Sequence, residues 1–249
     1  MTLFITSSPF VEGADRAILS NANGFVDRLR EALPENGRLL FVASDPERHD
    51  LTCRFAADVV LACAGAGIFF SSFHILDWES ADYARELVEN SDFIVLAGGH
   101  VPTQNAFFRE IGLRQLLDGY AGTVMGISAG SMNMADLVYV QPELEGESAP
   151  EFPRFSPGLG LTAVNILPHY QQVRLYTLDG QRLFEDITYR DSFGHNFFAI
   201  PDGSYFYQDD CCLLLCGRSY LIRDGRKTAL TEDGDVFNMG DFESVLPPQ

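Results

Sequence analysis

The first half of the chain alternates short apolar runs with longer amphipathic stretches, and that alternation leaves few folds open. Residues 3–6, 38–43, 67–73, 93–97 and 123–127 are rich in Val, Ile, Leu or Phe without strict in–out alternation. Such runs are expected of strands covered on both faces, as in the middle of a parallel sheet. Between them, residues 24–33, 51–64, 80–89 and 103–117 read as helices, and in the last of these Phe107, Ile111, Leu113 and Leu117 recur near helical spacing. Ser80 stands where a helix N-cap is expected. Strand–helix repetition implies right-handed crossovers and a mostly parallel sheet. The expected class is α/β, a three-layer αβα sandwich.

The second half changes character. Residues 141–160 hold four prolines, Pro142, Pro150, Pro153 and Pro157, and read as a loop or lid. Short strand-like runs follow at 161–167, 197–200, 204–208, 211–216 and 219–223, separated by turn signals such as Asp202-Gly203 and Asp224-Gly225. They predict antiparallel hairpins that make a β-rich C-terminal edge on the sheet. No repeat, low-complexity tract or linker divides the chain, so one domain spanning 1–249 is expected.

The 249 residues are 46% hydrophobic and 21% charged, enough to bury a sizeable core without a disulfide or metal staple. Acidic side chains outnumber basic ones 35 to 17, giving a net charge of −18. Such a surface repels phosphate backbones and anionic lipids, so neither nucleic acid nor a membrane surface is expected as a partner. All the basic residues but Lys227 are Arg. Arginine grips carboxylates in a planar fork, which makes it the candidate partner for an anionic substrate, although compositional bias accounts for its use equally well. Five cysteines, Cys53, Cys63, Cys211, Cys212 and Cys216, form no disulfide framework or zinc spacing and read as core packing in a reducing compartment. The N-terminus lacks a basic, apolar leader, and no run reaches the ~20 apolar residues of a membrane span. A cytoplasmic location is expected.

Chemistry concentrates at Gly126-Ile127-Ser128-Ala129-Gly130, which follows one apolar strand and precedes a predicted helix over 129–135. Strand, sharp turn and helix are the context of a nucleophile elbow. Small neighbours keep the Ser128 hydroxyl clear, and a helix N-terminus favours a developing oxyanion. Gly98-Gly99 ends another strand, so both turns fall at the carboxyl edge of the sheet, where open α/β sheets bind ligands. Amides from this loop and from Ala129 are candidates for an oxyanion hole. A serine nucleophile needs a base, and the candidates are His49, His74, His100, His169 and His195. His169 follows a strand that ends at Pro168 and is favoured over His100, which sits in the glycine loop. For the acid that orients the imidazole, Asp202 lies in a turn after an apolar strand, with Asp179, Glu185, Asp186 and Asp191 as rivals.

Ser128-Ala129-Gly130, the Gly98-Gly99 loop and Leu167-Pro168-His169-Tyr170 together resemble the peptidase E and cyanophycinase-like serine peptidases, over roughly residues 90–207. That family shares the fold of class I glutamine amidotransferases. The resemblance implies Ser128 as nucleophile, His169 as base, and an oxyanion hole from Gly98, Gly99 and Ala129. It places the acid a little over thirty residues past the histidine, where Asp202 stands. The order Ser, His, acid differs from the order Ser, acid, His of the α/β-hydrolases. The best-studied branch is a dipeptidase that removes N-terminal aspartate and holds its side chain with Arg. Arg174 and Arg182 lie in the matching segment, and His100 stands where relatives carry a small or amide residue, so these three are candidate substrate-binding residues. Tyr170-Gln171-Gln172 replaces the acidic and basic residues of the cyanophycin-cleaving members.

The expected activity is serine-dependent hydrolysis of small peptides, with an acidic side-chain preference, through an acyl-enzyme. An esterase or amidase on non-peptide acyl groups, and a non-catalytic ligand-binding protein on the same fold, are the alternatives. No cofactor or metal is implied. The expected partner is a small peptide, with a homodimer left open.

Overall fold

The computed structural model describes residues 1–242. Its main sheet has eight strands, and five of them form the parallel block that the apolar runs predict. These are β1 (Thr2–Thr6), β2 (Asn36–Val42), β3 (Phe70–Leu76), β4 (Phe93–Leu96) and β5 (Thr123–Ile127), arranged in the order β1, β5, β4, β2, β3. Beyond β1 the sheet continues antiparallel through Tyr205–Gln208, Leu213–Cys216 and Val236–Asn238. This is the β-rich edge expected of the C-terminal half.

The continuous apolar runs have a direct packing cause. Alternate residues of each central strand enter different cores, one on each face of the sheet. On one face Leu3, Ile5, Leu40, Ile94 and Val124 pack with Phe107, Phe108, Leu113 and Leu117. On the other, Phe4, Phe41, Phe93, Val95 and Met125 meet Phe25, Leu29, Val59 and Cys63 from the helices Phe25–Ala32 and His49–Gly65. A strand in such a sandwich has no solvent face, and therefore no polar residue every second position.

Three local readings shift. The third strand starts later than the run 67–73 suggests, because it is the sheet edge, with Ser71, Phe73 and His74 exposed, and so lacks a fully apolar pattern. The expected long helix over 103–117 is two, Val101–Glu110 and Leu113–Leu116, broken where Gly112 turns left-handed at φ 65. Ser80 precedes a single 3₁₀ turn, Ala81–Tyr83, and caps nothing. Its hydroxyl instead accepts from the Asp77 amide and donates to the Ile75 carbonyl.

A second sheet of four strands runs Arg226–Thr231, Ser219–Arg223, Asn196–Ala199, Ile166–Leu167. Its last two strands are parallel, with Ala199 beside Leu167, so both chains leave the sheet side by side at the same end. His169 and Asp202 follow directly. All five cysteines are free; Cys63 and Cys216 are buried, whereas Cys211 is exposed in a turn whose amides donate to Asp209. Among the described residues no helix is long and apolar enough to cross a membrane.

Phe93 is fully buried in a central strand and stacks on Phe70 at 5.9 Å between ring centres. Replacing it with Ala should reduce unfolding free energy by about 3–5 kcal/mol in urea titrations. A loss under about 1 kcal/mol would contradict burial on both faces.

Candidate active site

The turn after β5 is forced by contacts on three sides. A Cβ on Gly126 would lie 2.5 Å from the backbone of Ser131, and one on Gly130 would run into the carbonyl of Leu96 on β4. Glycine at both places lets the helix Ala129–Met132 sit against the strands. Between them Ser128 adopts φ 51 and ψ −111, a backbone state that side chains disfavour by about 1–3 kcal/mol unless their surroundings impose it. Here they do. The Ser128 amide donates to the carbonyls of Thr6 and Ser7 at 3.1 and 3.0 Å, and the Ser131 hydroxyl donates to the Thr6 carbonyl at 2.8 Å while accepting from the Thr6 amide. The elbow is thus fastened to β1, the neighbouring strand.

His169 is the next non-glycine residue held at a positive φ, 55, just past the strand Ile166–Leu167. Its amide donates to the Ser7 hydroxyl at 2.7 Å. Its ring bridges two groups, with Nε2 2.9 Å from Ser128 Oγ and Nδ1 2.8 Å from Asp202 Oδ1. A carboxylate can only accept, so the ring proton belongs on Nδ1, and Nε2 keeps a lone pair for the serine proton.

Asp202 receives more donors than His169 alone. The Ser7 hydroxyl donates to Oδ1 at 2.6 Å, and the side chains of Gln171 and Gln172 donate to Oδ2 at 2.7 and 3.2 Å. Gln171 also accepts from the Asp202 amide at 3.1 Å, clasping the residue from both ends. Burial pushes this carboxyl up, but the donors from His169, Ser7 and Gln171 outweigh it and hold the pKa below the usual Asp value.

Around the serine the amides of Gly98, Gly99 and Ala129 carry no hydrogen bond to any described protein acceptor. A Cβ on Gly98 would touch Ser128 Cβ at 3.5 Å, which places this loop directly against the serine. Ser128, His169 and the glycine loop open into a cavity of about 490 Å³. Its remaining wall is largely apolar, with Val101, Met132, Leu178 and Leu183, and among the described residues the only acidic or basic side chains on it are His169 and Glu143. An accessible hydroxyl, an imidazole within hydrogen-bond reach and unspent amides are the parts that acyl transfer requires. Among the described residues no cluster of His, Cys, Asp and Glu could hold a metal ion.

Comparison with known proteins gives the lineage. The model of peptidase family S51 matches residues 16–212, well over half of the chain. The chain belongs to peptidase family S51. It is a serine-type peptidase, and its fold is of the peptidase E kind. A 1.5 Å crystal structure of a protein provisionally named peptidase E, from Listeria monocytogenes EGD-e, superposes with a TM-score of 0.58. The two are 17% identical, and the match covers 92% of this chain and 98% of that one. No curated protein sequence matches this one closely enough to count as a relative.

The other residues singled out in the S51 peptidase's sequence lie elsewhere. Arg182 forms a two-pronged pair with Asp186 on the surface. Arg174 lines a separate cavity that Asp202 also borders, with Tyr220 and Asp233. Neither reaches the cavity beside Ser128. His100 also lies outside its lining. Its two ring nitrogens are taken by Thr103 Oγ1 and Glu147 Oε1, both at 2.8 Å, which ties the glycine loop to the segment after Pro142.

Of the remaining histidines, His49 sits between Asp77 at 2.6 Å and Cys53 at 3.2 Å, His74 is exposed on β3, and His195 stacks against Phe155 and Phe197. Three of the rival acids are engaged away from His169, Asp179 with the Gly146 and Ser148 amides, Asp186 with Arg182, and Asp191 with Tyr139 and Arg154.

Ser7 was not anticipated. It is fully buried and links Ser128, His169 and Asp202 through its carbonyl and hydroxyl. Its signal in the sequence is its place: it follows β1 at the carboxyl edge where the other turns gather.

Two outcomes are expected. Ser7→Ala removes a donor to Asp202 and the acceptor of the His169 amide, so peptidase kcat/KM should fall roughly tenfold or more with KM little changed; unaltered kcat would contradict the role given to Ser7. The depressed Asp202 carboxyl contributes stability that is present above its ordinary value of 3.8 and lost as pH falls through the lower folded value. Asp202→Asn should therefore lower the melting temperature at pH 7, and the gap to the wild type should close on acidification below about 4. A gap independent of pH would contradict it.

Proposed function

We propose that this S51 peptidase hydrolyses short peptides through a covalent acyl-enzyme formed on Ser128. The reading is supported above all by one contact: His169 Nε2 lies 2.9 Å from Ser128 Oγ while Nδ1 is tied to Asp202. In the proposed reaction Ser128 Oγ attacks the scissile carbonyl carbon as its proton passes to His169 Nε2. The imidazolium is stabilised by Asp202, which itself stays ionised. The amides of Gly99 and Ala129 hold the tetrahedral oxyanion, and Gly98 lets the loop approach closely enough to do so. The C–N bond then breaks, His169 returns the proton to the leaving amine, and an ester links the acyl group to Ser128. Water, deprotonated by the same imidazole, attacks that ester, releases the acid and restores the serine.

Short substrates fit the site. The cavity is of the size that takes small ligands, and the segment carrying Pro142 and Glu143 walls it on one side. That segment is fixed by Glu147, whose carboxylate accepts from the Glu143 and Leu144 amides and from His100. A preference for an N-terminal aspartate would need a cation on the wall, and among the described lining residues none is Lys or Arg. Five free cysteines suit the reducing cytoplasm as the place of action.

The direct test is Ser128→Ala. Hydrolysis of a dipeptide panel should drop by about a thousandfold or more while the melting temperature stays within a few degrees. Undiminished turnover by the variant would exclude the proposed nucleophile.

A further inference from the structure

Glu143 is a charged residue on the cavity wall for which the proposed reaction has no use. It sits with Ser128, His169, Gly98 and Gly99 around the same space. Its backbone is pinned, since its amide donates to Glu147 Oε2 at 2.9 Å, and the next amide donates to the same oxygen at 3.0 Å. Glu147 in turn is tied to His100. Its carboxylate, by contrast, accepts no hydrogen bond from any described residue and is open to solvent through the cavity. A carboxylate held in place by its backbone, with its oxygens unengaged and facing a substrate cavity, is a ready acceptor for a cation.

The surroundings sharpen this. The protein carries a net charge of −18, which draws cationic ligands and repels anionic ones. Arg174 and Arg182, the arginines in the segment where one would grip an acidic substrate, lie outside the cavity. The rest of the lining is apolar enough to take the methylene stem of a long side chain, with Val173, Leu178 and Leu183 among it.

We propose that Glu143 is the specificity-determining residue of this site and selects peptides whose residue on the acyl side of the scissile bond carries a positive charge, a Lys or Arg side chain. The inference rests on the peptidase reading given above and names its substrate class. Though it is reached by solvent through the cavity, the same carboxyl is raised above its ordinary value by partial desolvation at the cavity wall and by Glu147, against the attraction of His100 and His169. Raised values of this sign oppose stability as the group ionises with rising pH.

The test compares kcat/KM for matched dipeptides that begin with Lys, Ala and Asp, using wild type, Glu143→Gln and Glu143→Lys. Wild type should favour the Lys-first over the Asp-first peptide by at least about tenfold. Glu143→Gln should shrink that ratio about tenfold, chiefly through KM of the Lys-first peptide, and Glu143→Lys should invert it. The melting temperature of Glu143→Gln at pH 8 should equal or exceed that of wild type, which separates lost recognition from lost folding. A ratio near one in wild type, or one that Glu143→Gln leaves unchanged while the Ala-first peptide is still cleaved, overturns the proposal and leaves the peptidase reading standing. Wild type that cleaves none of the three overturns both.

Discussion

The site depends on the contact between the turn after β5 and the end of β1. Two carbonyls, of Thr6 and Ser7, accept from one amide, that of Ser128, and hold it in a backbone state it would otherwise leave. Without that double acceptor the serine would relax, and its hydroxyl would swing from the imidazole. The fold supplies the contact cheaply, because β1 and β5 are adjacent parallel strands in register, with Thr6 beside Ile127. The strain is local, while the restraint is spread over Thr6, Ser7, Ser131 and the two glycines that admit the helix.

The histidine and acid arrive by a different route. They do not come from the main sheet but from two parallel strands of the smaller one, which end together and deliver His169 and Asp202 to the same place. Ser7 joins the two sheets. Its carbonyl belongs to the elbow and its hydroxyl to the His–Asp pair, so one buried residue ties nucleophile, base and acid together. Gln171 and Gln172 complete the hold on the acid from the residues just past the histidine.

The sequence was most informative where burial is complete. Strands covered on both faces must be apolar at every position, so the central strands β2, β4 and β5 stand out, whereas β3, exposed at the edge, is displaced by three residues. The smaller sheet was legible only as a set of hairpins, because a two-residue strand such as Ile166–Leu167 carries no periodicity. Ser128 and Gly98-Gly99 could be placed because a parallel sheet puts every strand's carboxyl end on one edge. The same rule puts Ser7 at that edge but says nothing of its partner, because Ser7 acts on Asp202 across 195 residues; Glu143 lies in a proline-rich segment whose path follows from long-range ties to His100 and Asp179. Arg174 and Arg182 show the converse. They sit in the expected stretch of sequence, yet side chains a few residues apart there point to different surfaces.

The central claim is that the hydroxyl of Ser128 is activated by the imidazole beside it. Incubation of the intact protein with a fluorophosphonate, followed by peptide mass mapping, tests it most directly. A single adduct on the peptide containing Ser128, formed at least about a hundredfold more slowly in His169→Ala, is the predicted result. An unlabelled Ser128, or labelling that proceeds equally well without His169, would contradict the account.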